Sequence, residues 1–341
     1  MNRSPAAVHG TNLGILAGGE ALNYLSCARD RPLEESQIQP ASIDLRLGAN
    51  AYRTRASFLP GPGRTVEDGL KDLTLHQFSL DEGAVLEKGA VYVIPLEESV
   101  DIPGHLSGVA NPKSSTGRLD VFARVICDGG TRFDRMGAGY QGRLFVEISP
   151  QSFPIRVRRG SRLVQLRFRH GEPNYIHQAI LQLDACGSGI GQPIGYRAKR
   201  NTRLIDVDLR EVYCAADYWE TIFADASRAI ILDPGEFYIL ATRLPIEIPI
   251  DQVAELRPLD TEIGEFRVHY AGFFDPGFGV STPSRGVLEI RAHEVPFRIE
   301  HGQSIGKLLY EPLLGTPSSV YGKGIDSNYQ GQGLKLSKHF I

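Results

Sequence analysis

The chain has 341 residues, 42% hydrophobic and 23% charged, and a formal net charge of −3. That length allows two domains of ordinary size, each with its own core, and the composition is that of a soluble globular protein in which no apolar run approaches a bilayer crossing. The near-neutral charge excludes a broad basic face for polymeric nucleic acid, although a small polyanion can still meet a local cluster of Lys and Arg.

In chain order the first expected element is a short helix over Gly18–Asp30. Strand signals then dominate: Ala90–Ile94, Leu144–Ile148, Ile155–Val157, Leu163–Phe168, Phe237–Leu240, Phe297–Ile299 and Ile305–Leu309 are short, rich in β-branched and aromatic residues, and separated by Gly, Pro or Asp. A second short helix is expected over Ala215–Ala224. Gly187 to Gly195 is glycine-rich and Arg197 to Arg203 is basic, as suits an inter-domain connection. The pattern is all-β with few short helices.

The strands also repeat. Arg143 to Ile148 and Pro154 to Phe168 return without a gap as Arg285 to Ile290 and Pro296 to Tyr310, so Glu147 corresponds to Glu289. Lys88 to Pro103 likewise matches Pro234 to Pro249. The Arg-Arg-Gly160 and Glu-His-Gly302 steps place glycine at equivalent tight turns, where a positive φ is tolerated. The chain is therefore a tandem duplication, with a first repeat over 1–186, a linker over 187–203 and a second repeat over 204–341.

Between the matching blocks the halves diverge. The first carries Lys113-Ser114-Ser115-Thr116-Gly117-Arg118, and the second has Leu259-Asp260-Thr261-Glu262-Ile263-Gly264 in the same register. Two hydroxyls, backbone amides beside a glycine and two cations make a phosphate cradle or a solvated turn. Glu147 lies in an apolar strand, where a carboxylate either points to solvent or has its pKa raised toward that of a working base. Cys27, Cys127, Cys186 and Cys214 form no CxxC pair, and His269, His293 and His301 lack metal-ligand spacing, so neither a zinc site nor a disulfide framework is expected. The first ten residues lack the apolar core of a signal peptide, and the expected location is the cytoplasm, with no membrane partner.

Together, Pro40-Ala-Ser-Ile-Asp44-Leu-Arg46-Leu-Gly48, Pro112-Lys-Ser114-Ser115-Thr-Gly-Arg118, Gly139-Tyr-Gln-Gly142-Arg-Leu-Phe-Val-Glu147 and the tail Asn328-Tyr329-Gln330-Gly-Gln332-Gly333-Leu-Lys-Leu-Ser337-Lys338 resemble the motifs of dCTP deaminase, in the dUTPase-like superfamily. The two-repeat length is similar to an elongated bacterial form of that family. The resemblance implies two β-clip or distorted jelly-roll domains, a homo-oligomer with active sites at subunit interfaces, and magnesium carried by the nucleotide triphosphate, with no zinc. It implies hydrolysis of dCTP to dUTP and ammonia, supplying dUTP for thymidylate synthesis.

In that frame Glu147 is the expected general base, with Ser114 and Arg118 as its catalytic partners. Lys113, Ser115, Asp128, Asp134, Asp275, Tyr329, Gln330 and Gln332 are the expected substrate contacts, and the tail is expected to close over the triphosphate. Lys113 stands where the family commonly has Arg. The Asp-Pro-Gly turn that usually contacts the sugar is intact only at Asp275-Pro276-Gly277, with Asp128 and Asp134 as first-half candidates for its role. A composite site that joins first-half cations to Asp275, or to Glu289 as an alternative base, therefore stays open. So do a dUTP diphosphatase, a bifunctional deaminase and diphosphatase, and a nucleotide-binding regulator without turnover.

Overall fold

A computed structural model of the chain describes residues 13–259, 266–269, 272–292, 294–322 and 329–341. Asp260 to Gly264, His293 and Asn328 lie outside the described residues, and only the backbone of 266–269 is described. Among the described residues the structure is predominantly β, as expected, and no helix is long and apolar enough to cross a membrane.

The duplication is visible in strand register. In the first repeat Val91–Asp101 pairs antiparallel with Gln141–Pro150, setting Val93 opposite Glu147 and Tyr92 opposite Ile148. In the second, Phe237–Ile246 pairs with Ser284–Ala292, setting Ile239 opposite Glu289 and Tyr238 opposite Ile290. The Tyr92 hydroxyl accepts the Glu87 N–H at 3.0 Å, and the Tyr238 hydroxyl accepts that of Asp233 at 2.9 Å. Gly160 and Gly302 both close their turns at positive φ, +90° and +83°.

The repeats are joined by sheet and by core. Gly14–Leu16 pairs antiparallel with Val164–His170 of the first repeat and parallel with Ser304–Leu314 of the second, so one sheet runs through both. The first core takes in Phe237, Ile239, Val287, Leu336 and Phe340 from the second half. Burying each such large side chain contributes roughly 1.5–3 kcal/mol. Buried ion pairs cross the same boundary: Arg169 grips Glu311 with two bonds of 2.9 and 2.6 Å, and Arg291 reaches Asp120 at 3.1 Å. Desolvation offsets most of the attraction in such pairs, so they add little net stability.

Several local expectations change. The first helix is only α1, Gly18–Ala21, followed by a 3-10 turn. The segment expected as helix over Ala215–Ala224 yields one helical turn at Ala215–Tyr218 and then the strand Trp219–Phe223, whose backbone pairs with Pro193–Ala198. That last strand falls within the stretch 187–203, which thus contributes to the second repeat's sheet. A helix at Val66–Leu73 was not expected, although Thr65 and Asp68 form a capping box that a sequence can display.

Candidate active site

The Ser-Ser turn is set by its neighbours. Pro112 ends the strand Leu106–Pro112, Lys113 is extended, and Ser114–Gly117 makes a single helical turn. The Leu163 carbonyl accepts both the Lys113 N–H and the Thr116 hydroxyl at 2.9 Å, which pins the turn against the neighbouring strand. Lys113, Ser114, Ser115 and Arg118 line a cavity of about 1070 Å³. Arg118 is 3% exposed.

Across the cavity from this turn lies the second repeat. Val287, Glu289 and Arg291 alternate along Ser284–Ala292 and so share one face of the sheet, and Val287 and Glu289 line the cavity. Glu289 Oε1 stands 4.0 Å from Arg118 Nε, a Coulombic contact too long for a hydrogen bond. Burial pushes the Glu289 carboxyl up to about 8 despite the opposing pull of Arg118. The guanidinium is oriented by the tail: it donates to the Lys335 carbonyl and to Gln332 Oε1, each at 3.0 Å, and lies 3.8 Å from the Tyr329 ring centroid. Gln332 in turn donates to the Arg285 carbonyl at 2.8 Å.

The Asp275 turn forms the next wall. Arg167, from the first repeat, donates to Asp275 Oδ1 at 2.8 Å and stacks on Phe273 at 4.1 Å. Burial raises the Asp275 carboxyl, with Arg167 opposing the shift. Gly277 holds φ +89°, and a Cβ there would meet Val320 at 2.1 Å, so the turn requires glycine. Farther along, Lys113 pairs with Asp44, and burial together with Lys113 and Arg210 brings Lys338 down to about 8. Arg167, Tyr321 and Arg210 line or support the cavity without having been expected there, and Lys338 was expected only as part of the tail motif. The available signal was Arg167 inside the apolar run Leu163 to Phe168, the same feature that drew attention to Glu147.

Glu147, the expected general base, lies elsewhere in the first repeat. It does not line this cavity; its carboxylate is 1% exposed, is bonded to Arg124, and leaves Oε2 without a hydrogen-bond partner. Asp128 accepts the Val66 N–H at 2.7 Å at the start of the Val66–Leu73 helix, and Asp134 accepts the Val125 N–H at 2.8 Å. Burial raises Asp134 to about 7, yet neither aspartate reaches the cavity. Gln330 also lies off it and bonds Ser281 at 3.0 Å. The structure thus brings together Lys113, Ser114, Ser115, Arg118, Asp275, Glu289, Tyr329 and Gln332. Among the described residues no group of three or more His, Cys, Asp or Glu is placed to hold a metal ion.

Family models for the N-terminal and C-terminal domains of 2'-deoxycytidine 5'-triphosphate deaminase match residues 19–172 and 169–340. A dCTP deaminase of Ignicoccus hospitalis is 28% identical over 156 residues, 45% of this chain and 82% of the relative. A "dCTP deaminase, dUMP-forming" of Persephonella marina is 29% identical over 140 residues, 40% of this chain and 72% of the relative. The crystal structure of 2'-deoxycytidine 5'-triphosphate deaminase from Agrobacterium tumefaciens is 48% identical, with a TM-score of 0.84 over 89% of this chain and all of that one. With both domain models matched in tandem and a full-length structural counterpart, the chain belongs to the dCTP deaminase family, in its two-domain form.

Proposed function

We propose that the chain deaminates dCTP to dUTP and ammonia in the cavity between its repeats, with Glu289 as the general base. The observation that carries this assignment is the placement of Glu289 opposite Ser114, Ser115 and Arg118 in one cavity. A base must be ionisable near the working pH, and a carboxyl raised to about 8 meets that need. Glu289 takes a proton from water as the oxygen bonds to C4 of cytosine. It passes that proton to N3, then carries the proton of the new C4 hydroxyl to the amine, so C4=O forms as the C4–N4 bond breaks and ammonia leaves. Arg118 fixes the carboxylate and favours its ionised form, Ser114 holds the water or a phosphate oxygen, and Lys113, Ser115 and Lys338 supply donors to the triphosphate. Asp275, held by Arg167, faces the sugar, and magnesium enters as part of the substrate, bound to its phosphates.

Zinc has no part in this scheme: the purified protein should turn over with less than stoichiometric zinc by elemental analysis, and a tightly held zinc required for turnover would refute it. The second repeat supplies the wall opposite the Ser114–Ser115 turn, so this site needs no further chain, and a cytoplasmic homo-oligomer stands as the proposed assembly on the family resemblance. The name of the Persephonella relative favours one second reading, release of pyrophosphate after deamination. Incubation with dCTP and with dUTP separates them: ammonia with intact dUTP supports the deaminase, and dUMP with pyrophosphate the bifunctional enzyme. Binding without any product would leave a nucleotide-binding regulator.

A further inference from the structure

We propose that Ser337 is a positioning residue that couples the chain's C-terminal segment to the Ser114–Ser115 turn, and through it governs how Arg118 meets Glu289, while His339 competes for its hydroxyl. Neither residue's functional group lies among the contacts of the reacting carboxylate; the inference rests on the deaminase reading above and concerns the same site.

The last residues form an anchor. Leu336 and Phe340 are buried in the first core. The Val212 and Tyr213 N–H groups both donate to the His339 carbonyl at 3.1 Å, and the Ile341 N–H returns to the Tyr213 carbonyl at 2.9 Å. Main-chain bonds therefore hold this end independently of its side chains. From it, Ser337 Oγ reaches the Ser115 carbonyl at 2.8 Å, directly behind the turn that precedes Arg118. The segment just before, Tyr329 to Lys335, supplies the groups that orient the Arg118 guanidinium. The turn and the guanidinium are thus referred to one anchored piece of chain.

The proton count at this joint is informative. His339 Nε2 lies 3.0 Å from the Val207 carbonyl, which can only accept, so Nε2 carries a hydrogen. Burial, with Lys338 and Arg210 adding to it, brings the ring down to about 4, and a neutral ring then leaves Nδ1 as an acceptor. Nδ1 lies 2.9 Å from Ser337 Oγ, so a single serine proton faces two acceptors, the ring and the Ser115 carbonyl. His339 competes with the turn for the hydroxyl. Removing the hydroxyl should uncouple the turn, whereas removing the competing ring nitrogen should not.

The test compares Ser337→Ala, Ser337→Thr and His339→Gln, whose amide can still donate to Val207. Ser337→Ala should lower kcat for dCTP by about tenfold with KM changed less than about threefold, since a small misplacement of catalytic groups is felt mainly in turnover. Ser337→Thr should restore kcat to within about twofold, and His339→Gln should keep it there or raise it. A merely structural role predicts parallel losses in both alanine and glutamine variants together with a lowered Tm. Wild-type kcat in Ser337→Ala, or failure of threonine to restore it, would overturn the proposal. Should the wild-type protein release no ammonia from dCTP, the functional reading fails, and the coupling is then read by hydrogen exchange alone. Faster exchange at residues 114–118 in Ser337→Ala supports the coupling, and unchanged exchange refutes it.

Discussion

In each repeat a glutamate sits at the same place on the same strand pair, opposite Val93 in the first and Ile239 in the second. What differs is the surface each one meets. The sheet face around Glu147 is covered from within its own repeat: Val66 and Leu70 of the Val66–Leu73 helix pack with Val93, Ile126 and Phe145, flanked by Tyr52, Phe58, Leu59 and Phe133. Arg124, stacked 3.9 Å from the Phe133 ring, neutralises the carboxylate there. The face around Glu289 meets the other repeat instead, and what it meets is the Ser-Ser turn with Arg118. A duplicated strand therefore does not duplicate its surroundings: the carboxylate is repeated, and the surface opposite it is not.

Exchange of carboxylate for amide at each position should separate the two glutamates most strongly. Glu289→Gln should lower kcat by about 10³-fold or more while nucleotide binding survives, since the amide keeps the shape and cannot accept a proton. Glu147→Gln, measured in the same ammonia-release assay, should retain kcat within about threefold. Reversal of these two outcomes would return the base to the first repeat.

Removal of the partner cation comes next. Arg118→Ala should reduce kcat/KM by about 10²-fold, as loss of a preorganised charge does. Calorimetric titration of the wild-type protein with a non-hydrolysable dCTP analogue should give one site per chain, because the Glu147 face is filled by apolar side chains; two equivalent sites would defeat the comparison.

The buried position of Glu289 also predicts the pH profile. The base must be ionised, and its pKa in the folded protein is raised to about 8, so kcat/KM should climb as pH rises and level off above about 8. An acid limb near the ordinary carboxylate value would show that burial does not act on the working group. A smaller effect is expected at the Asp275 turn: Asp275→Asn weakens the bond to Arg167 and should raise KM about tenfold with kcat less affected. The smallest lies in the covered face, where Glu147→Gln leaves the Arg124 guanidinium without its charge partner. Arg124 is 36% exposed and can turn to water, so thermal unfolding should report a loss of about 1 kcal/mol or less.

The duplication, the all-β class, most strand cores, the two glycine turns and the Ser114-Ser115-x-x-Arg118 and Asp275-Pro276-Gly277 segments can be read along the chain. These are local patterns: alternation, ungapped spacing and turn chemistry need only neighbours along the chain to be recognised. The alternative base Glu289 and the composite site were legible only as open choices. Glu147 and Glu289 share one local strand pattern, Leu-Phe-Val-Glu-Ile against Gly-Val-Leu-Glu-Ile, and the intact Asp275-Pro276-Gly277 turn ahead of Glu289 is a nearby difference that favours the second repeat. Docking of one repeat against the other sets Arg118 and Glu289 across one cavity and Arg167 on Asp275. Tertiary structure also placed the tail, whose Tyr329 and Gln332 engage Arg118 from more than two hundred positions away. Such contacts follow from which buried surfaces fit together, a property of the packed chain that strand periodicity does not encode.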